Sequence, residues 1–315
     1  MDYNKAIESV CFKFGHAVTE YEVFRWLRNF DESEWAMALN VLDKVVYYSS
    51  DRIDEALKND IGCIVESHPG DHIYVLSTGS VGKSGNAMAY HAKKVIEALG
   101  LPESVLSLLN IKNLEGIKKN VVIALLDDFS GTGESIKKFY DKSVKEKVEG
   151  KQIEVCALAV AYMKKAAEYL METCNMAVYG TCYEPAFVRR GYVFGYEKNM
   201  KPVREFCFKM GEMLFPDWKN IDLKPLGYKN SQALICFEHT TPNNTLPILR
   251  MKRNSLKLPV SGFVLAKGNM AFRYRRGPGI LSSFTNRALS LKLRMAHISN
   301  LLRAAAINGS PQILQ

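Results

Sequence analysis

Six uninterrupted apolar residues, Val121-Val122-Ile123-Ala124-Leu125-Leu126, run directly into Asp127 and Asp128 and then into Phe129-Ser130-Gly131-Thr132-Gly133-Glu134-Ser135. No other stretch restricts the fold as much. A strand with one wet face alternates apolar and polar side chains, whereas a strand apolar at every position must be covered on both faces. That is the situation of a central strand in a parallel sheet layered between helices. Parallel neighbours need long crossovers, so strand-like and helix-like runs should alternate, and they do over residues 61–249. Strands are expected at residues 72–77, 121–126, 153–161, 176–180 and 232–237, helices at 86–99 and 133–147, and loops at 78–85 and 127–132. The fold class that follows is α/β, a mostly parallel sheet with helices on both faces. Ligands of such sheets bind outside the carboxyl ends of the strands, and both loops lie at such ends.

Two further regions flank this domain. Residues 1–60 read as helical: apolar positions recur at three- and four-residue spacing over 6–14, 23–30 and 35–46, with Thr19 and Asp31 placed as N-caps. Followed by Val45-Val46-Tyr47-Tyr48, they form either a winged-helix-like unit or a helical cap on the main domain. Residues 250–315 are a basic extension. From His239 onward there is no Asp or Glu, while twelve Lys and Arg lie between Arg250 and Arg303. The other 30 basic residues meet all 33 acidic ones, so residues 1–238 carry about −3 and the net charge of +9 resides in the tail. The apolar runs are far too short to cross a bilayer and the opening residues lack a signal-peptide core, so a cytoplasmic protein without a membrane partner is expected. Seven scattered cysteines without a CxxC pair read as reduced core residues.

The acidic loop carries the chemistry. A strand delivers two carboxylates and then turns through Gly131-Thr132-Gly133 into a helix, where free N–H groups and the positive end of the helix dipole converge on one point. That point suits a phosphate, and the Thr132 and Ser135 hydroxyls add donors. Carboxylates beside it can accept from ribose hydroxyls or organise the water of a Mg²⁺ ion. A competing reading starts upstream: Ser77-x4-Gly82-Lys83-Ser84 is one residue away from the P-loop pattern of nucleotide triphosphatases, with residues 121–128 as the acid-ended strand. It lacks the first glycine and leaves Thr132-Gly133-Glu134-Ser135 without a purpose.

The stretch from Val121 to Ser135 resembles the phosphoribosyl-pyrophosphate (PRPP) signature of type I phosphoribosyltransferases: apolar residues, two acids, a spacer, then Thr-Gly-x-Thr/Ser. Ser130 stands where the family has an apolar residue. The resemblance implies that Asp127 and Asp128 face the ribose hydroxyls or Mg²⁺, and that Ser130, Gly131, Thr132, Gly133, Glu134 and Ser135 surround the 5′-phosphate. It also implies an earlier pyrophosphate loop, a place occupied by Ser77, Thr78, Gly79, Gly82, Lys83, Ser84 and Gly85. Lys83 and Mg²⁺ would neutralise the leaving pyrophosphate, with PRPP as substrate and displacement at the anomeric carbon through an oxocarbenium-like state. For acid/base chemistry Glu134 and His239 stand out, against simpler roles as a helix N-terminal acid and a satisfied loop histidine.

Glu238-His239-Thr240-Thr241-Pro242-Asn243-Asn244-Thr245-Leu246-Pro247 concentrates donors and acceptors in a rigidified loop. Either it recognises a base or acceptor through His239, Asn243, Asn244 and Thr245, or it is a turn held by its own amides. Tyr183-Glu184-Pro185-Ala186-Phe187 presents the same choice between a base pocket and core packing. With Phe24-Arg25-Trp26-Leu27-Arg28-Asn29-Phe30, the Pro-Asn-Asn-Thr-Leu-Pro segment resembles phosphoribosyltransferase-like effectors of bacterial conflict systems, some encoded beside retron reverse transcriptases. Arg250 replaces the family's aromatic residue. The implied function is an antiphage effector that binds PRPP or a nucleotide and is controlled by a partner such as a reverse transcriptase with its RNA and DNA. The alternative is a sensor that binds PRPP or a nucleotide without turnover, or a nucleic-acid-binding subunit. Arg273, Tyr274, Arg275 and Arg276 suit phosphate contact and stacking on nucleic acid, unless the tail is only a solvated extension.

Overall fold

The computed structural model describes residues 2–78, 84–117, 120–188, 193–215 and 218–250. Gly79, Gly82 and Lys83 of the first loop lie outside the described residues, as do Arg273, Tyr274, Arg275 and Arg276 of the tail. The chain opens with helices α1 (Tyr3–Lys13), α2 (Glu20–Leu27) and α3 (Trp35–Asp43), strand β1 (Val46–Tyr48) and helix α4 (Ser50–Ser67). It continues through β2 (His72–Ser77), α5 (Ser84–Leu99), β3 (Leu106–Leu108), β4 (Val121–Ser130), α6 (Glu134–Ser143), α7 (Lys145–Val148), β5 (Ile153–Met163), α8 (Lys164–Cys174) and β6 (Val178–Tyr183). After these come α9 (Glu197–Leu214), the short strands β7 (Leu223–Lys224) and β8 (Gly227–Tyr228), β9 (Ile235–Phe237) and α10 (Pro247–Arg250).

Five strands form the central sheet in the order β3-β2-β4-β5-β6, and every neighbouring pair is parallel. The fold is therefore α/β, as the uninterrupted apolar run requires: every residue of β4 is buried except Asp127. One face packs against α4 and α5, the other against α6 and α8. After β2 the chain moves outward to β3 and then returns to the far side of β2 to lay down β4. The order of the strands thus reverses between β2 and β4, and ligands of such sheets bind at the carboxyl ends beside a reversal of this kind.

Three expectations need correction. β4 does not stop at Leu126; it continues to Ser130 because β5 is long enough to pair with Asp127, Phe129 and Ser130. The acids lie within the strand, near its carboxyl end, rather than in a loop. The helix expected over 133–147 divides at Val144 into α6 and α7. The strand expected at 232–237 is confined to β9, which leaves the main sheet and pairs in parallel with β1, Val46 opposite Ile235.

The N-terminal helices carry the capping chemistry read from the sequence. The Thr19 hydroxyl accepts from the Glu22 N–H, and the Glu22 carboxylate accepts from the Thr19 N–H at 2.8 Å, a reciprocal box at the start of α2. Their apolar faces share one core with α9 and residues 234–249. Trp26 is fully buried there, and its indole N–H donates to the Ile248 carbonyl at 3.0 Å. α4 runs without interruption through residue 60, where the sequence places a domain boundary. Of the cysteines, Cys11, Cys156, Cys207 and Cys236 are buried as expected, whereas Cys63 and Cys182 are exposed and Cys174 is half-buried. Among the described residues no helix is long and apolar enough to cross a membrane.

Candidate functional site

β2 ends where Ser77 pairs with Leu126, and β4 runs on past it to Ser130. Just past that pair, both the N–H and the hydroxyl of Thr78 donate to the Leu126 carbonyl, at 2.9 and 3.1 Å. The Thr78 hydroxyl is thus spent on anchoring the first loop to β4. Ser77 is half-buried at the end of β2, and Ser84 and Gly85 open α5.

Successive side chains of a strand point to opposite faces, so the two acids have different surroundings. Asp128 is 7% exposed; one carboxylate oxygen accepts from the Phe129 N–H at 2.9 Å, and the other lies 3.1 Å from Nε2 of His239. Asp127 is only partly covered, and its carboxylate accepts from the Asp128 N–H at 3.0 Å. Burial, and then the neighbouring Asp128 carboxylate, push the Asp127 carboxyl well above the usual carboxylate range. Such a group favours whatever supplies it with hydrogen-bond donors or positive charge.

The turn that follows is built around two glycines. Gly133 is the N-cap of α6 in the left-handed region, φ +80°, and a side chain there would meet Cδ1 of Tyr169 at 2.8 Å and the Ala166 carbonyl at 3.0 Å. Among the described residues no side chain caps α6, so the first N–H groups of the helix remain available to an anion. Ser130 is buried, and its hydroxyl has no hydrogen-bond partner among the described residues. Thr132 is half-buried and Ser135 exposed at the start of α6. Glu134 has a different role from acid/base chemistry. Its carboxylate is ion-paired with the Lys229 ammonium and accepts from the Tyr228 hydroxyl at 3.1 Å. The Lys229 bond holds it below the usual range, so it is the ionised helix N-terminal acid.

The segment from residue 238 to 246 divides in the same manner. His239 reaches Asp128 and packs its ring 5.7 Å from that of Phe237. Asn243 is exposed, and its carbonyl accepts from the Tyr228 N–H. Asn244 and Thr245, expected to recognise a base, are instead buried and internally bonded. Asn244 Nδ2 donates to Ser231 Oγ at 3.0 Å, and the Thr245 hydroxyl donates to the Ile235 carbonyl at 2.6 Å. The alternative of a turn held by its own side chains therefore applies to these two. Core packing likewise accounts for Ala186 and Phe187, the latter stacked on Phe194 with centroids 5.2 Å apart. Tyr183 bonds its hydroxyl to that of Tyr48 at 2.9 Å.

Sequence reasoning missed Tyr228 and Lys229, which reach Glu134 from about a hundred residues away, and Ser231, which holds Asn244. The signal present was the turn they occupy: Gly227, Lys229 and Asn230 all have positive φ, and Gly and Asn favour such backbone. Among the described residues no three His, Cys, Asp or Glu side chains gather as a metal cage. Asp127 and Asp128 supply two carboxylates, which suits a cation that keeps most of its water and takes the rest of its ligands from a phosphate.

No match was found among curated proteins. Of solved structures, the orotate phosphoribosyltransferase from Aeropyrum pernix is 20% identical over 42% of this chain and 69% of its own, with a TM-score of 0.28. The hypoxanthine-guanine phosphoribosyltransferase from Schistosoma mansoni, in complex with IMP, is 17% identical over 48% of this chain and 70% of its own, also at 0.28. A family model, PRTase-CE, matches residues 23–259, which include the acids, the turn after them and the segment that closes over both, and the chain belongs to that family.

Proposed function

We propose that this protein binds a 5′-phosphorylated ribose, PRPP or a nucleotide, in the crevice between β2 and β4, and that it acts as a phosphoribosyltransferase-like effector in antiphage defence. One observation carries the reading: a buried central strand carries two acids near its carboxyl end and passes, through a left-handed Gly133, into a helix whose N-terminus no side chain among the described residues caps. The free N–H groups of α6 and the Thr132 hydroxyl take the phosphate, and Asp127 accepts from the ribose hydroxyls beside it. Asp128, held by His239, keeps its carboxylate in a fixed orientation. Transfer or cleavage at the anomeric carbon then draws on positioning and electrostatics from these groups. Asp127 and Asp128 are the residues that would hold a Mg²⁺ ion, which would supply positive charge to neutralise a leaving pyrophosphate. Lys83 is the expected second cation there. The family resemblance of the Pro-Asn-Asn-Thr-Leu-Pro segment supports control by a partner such as a retron reverse transcriptase with its nucleic acid, which the basic tail would contact.

Calorimetry with PRPP, ribose 5-phosphate and ATP, each with Mg²⁺, tests the site. PRPP or ribose 5-phosphate should bind in preference to ATP, and Asp127→Asn with Asp128→Asn should abolish binding and any toxicity to host cells while leaving the fold intact. Full activity of that double variant, or tight ATP binding with hydrolysis that is lost in Lys83→Ala, would refute the reading. Pyrophosphate release in the presence of PRPP separates an enzyme from a sensor.

A further inference from the structure

Residues 227–246 pack against the acids of β4 and the turn that follows them. His239 meets Asp128, Lys229 and Tyr228 meet Glu134, and between them Asn244 lies against Gly131. This last contact leaves no room for a side chain at position 131. A Cβ placed on Gly131 would fall 2.1 Å from Cγ, 2.2 Å from Nδ2 and 2.4 Å from Oδ1 of Asn244, so the amide group occupies the space of the missing side chain. Gly131 does not lie in the left-handed region. Any residue could adopt its backbone angles, and what demands glycine there is Asn244.

Asn244 itself is held on all sides. Its Nδ2 donates to Ser231 Oγ at 3.0 Å, its carbonyl accepts from the Ala233 N–H at 3.1 Å and from the Ser231 hydroxyl at 3.2 Å, and Gly227 packs against that carbonyl. The hydrogen bonds made by the side chain lie within its own segment, so its contact with Gly131 is purely steric. A polar group buried for packing alone is an expensive choice unless its rigid, planar shape is what the neighbouring turn needs.

We propose that Asn244 is a positioning residue of the phosphate turn: its amide is a strut that fixes the path of Gly131 and, through it, the aim of the α6 N–H groups. The site's hold on a phosphate is then set by the conformation of residues 227–246, a segment that continues into α10. For its ligand this proposal rests on the sugar-phosphate reading above. A displaced turn weakens binding because anion capture by amides depends on their alignment, and a shift of about 1 Å can cost a factor of up to about a hundred.

A steric exchange tests it in the full chain. Asn244→Ala, Gly131→Ala and the double variant are compared for binding of ribose 5-phosphate and PRPP by calorimetry, with circular dichroism to establish that each is folded. Asn244→Ala should weaken binding about tenfold and Gly131→Ala more, since its methyl collides with the amide. In the double variant the new methyl enters the vacated space, so affinity should return to near that of Asn244→Ala alone. Additive losses, or unchanged affinity in Asn244→Ala, would overturn the strut. Should the wild-type chain bind neither compound, the sugar-phosphate reading fails, and hydrogen exchange of the amides of residues 131–134 decides the strut alone. Faster exchange in each single variant and recovery in the double variant supports it; exchange unaffected by either substitution overturns it.

Discussion

Asp60 in α4 is a carboxyl placed where it is better off neutral. One of its oxygens is buried without a hydrogen-bond partner among the described residues, and burial raises its pKa from 3.8 to about 6. A shift of about two units corresponds to about 3 kcal/mol between the two protonation states. Because the side chain is only partly buried, solvent screening reduces this to about 1–2 kcal/mol. Between pH 4 and 6 the folded chain holds this proton and the unfolded chain does not, so stability falls as pH rises through that window and the full penalty applies above it. Asp60→Asn keeps the shape and removes the charge. Urea unfolding of both proteins across pH 4 to 8 should show equal stability near pH 4 and a gain for the variant that grows to about 1–2 kcal/mol above pH 6.5. A difference independent of pH, or a wild-type protein that gains on the variant as pH rises, would refute the assignment of an uncompensated buried carboxylate.

Gly133→Ala should cost about 2–4 kcal/mol in urea unfolding, since it combines left-handed backbone with contacts of 2.8 to 3.1 Å to Tyr169, Ala166 and Leu170. Trp26→Phe leaves the buried Ile248 carbonyl without its indole donor and should destabilise by about 1–3 kcal/mol by the same measurement. Truncation after Leu249 should weaken nucleic-acid binding in filter or fluorescence assays and flatten its salt dependence, while binding of ribose 5-phosphate is retained. Equal affinity of the truncated and full chains for RNA and DNA across a salt series would remove that role from the tail.

Much of the architecture was legible because it depends on local pattern. The all-apolar residues 121–126 dictate a strand covered on both faces, and from that follow a parallel sheet, crossovers and a ligand crevice at its carboxyl edge. Thr19 announced the start of α2, and Gly-x-Gly after two acids announced the turn into α6, since capping and left-handed backbone are decided within a few residues. What a residue meets across the fold is not encoded at that range. The length of β5 decided that Asp127 and Asp128 belong to a strand, and a pairing between Val46 and Ile235 decided where β9 lies. Glu134 had the composition of an acid/base group until Lys229 and Tyr228 arrived from a distant turn, and Asn244 that of a base-recognising amide until the fold buried it against Gly131. Periodicity and propensity set the type of each element, whereas the fate of a polar side chain depends on which non-local neighbour removes its water, and only the packed tertiary structure determines that.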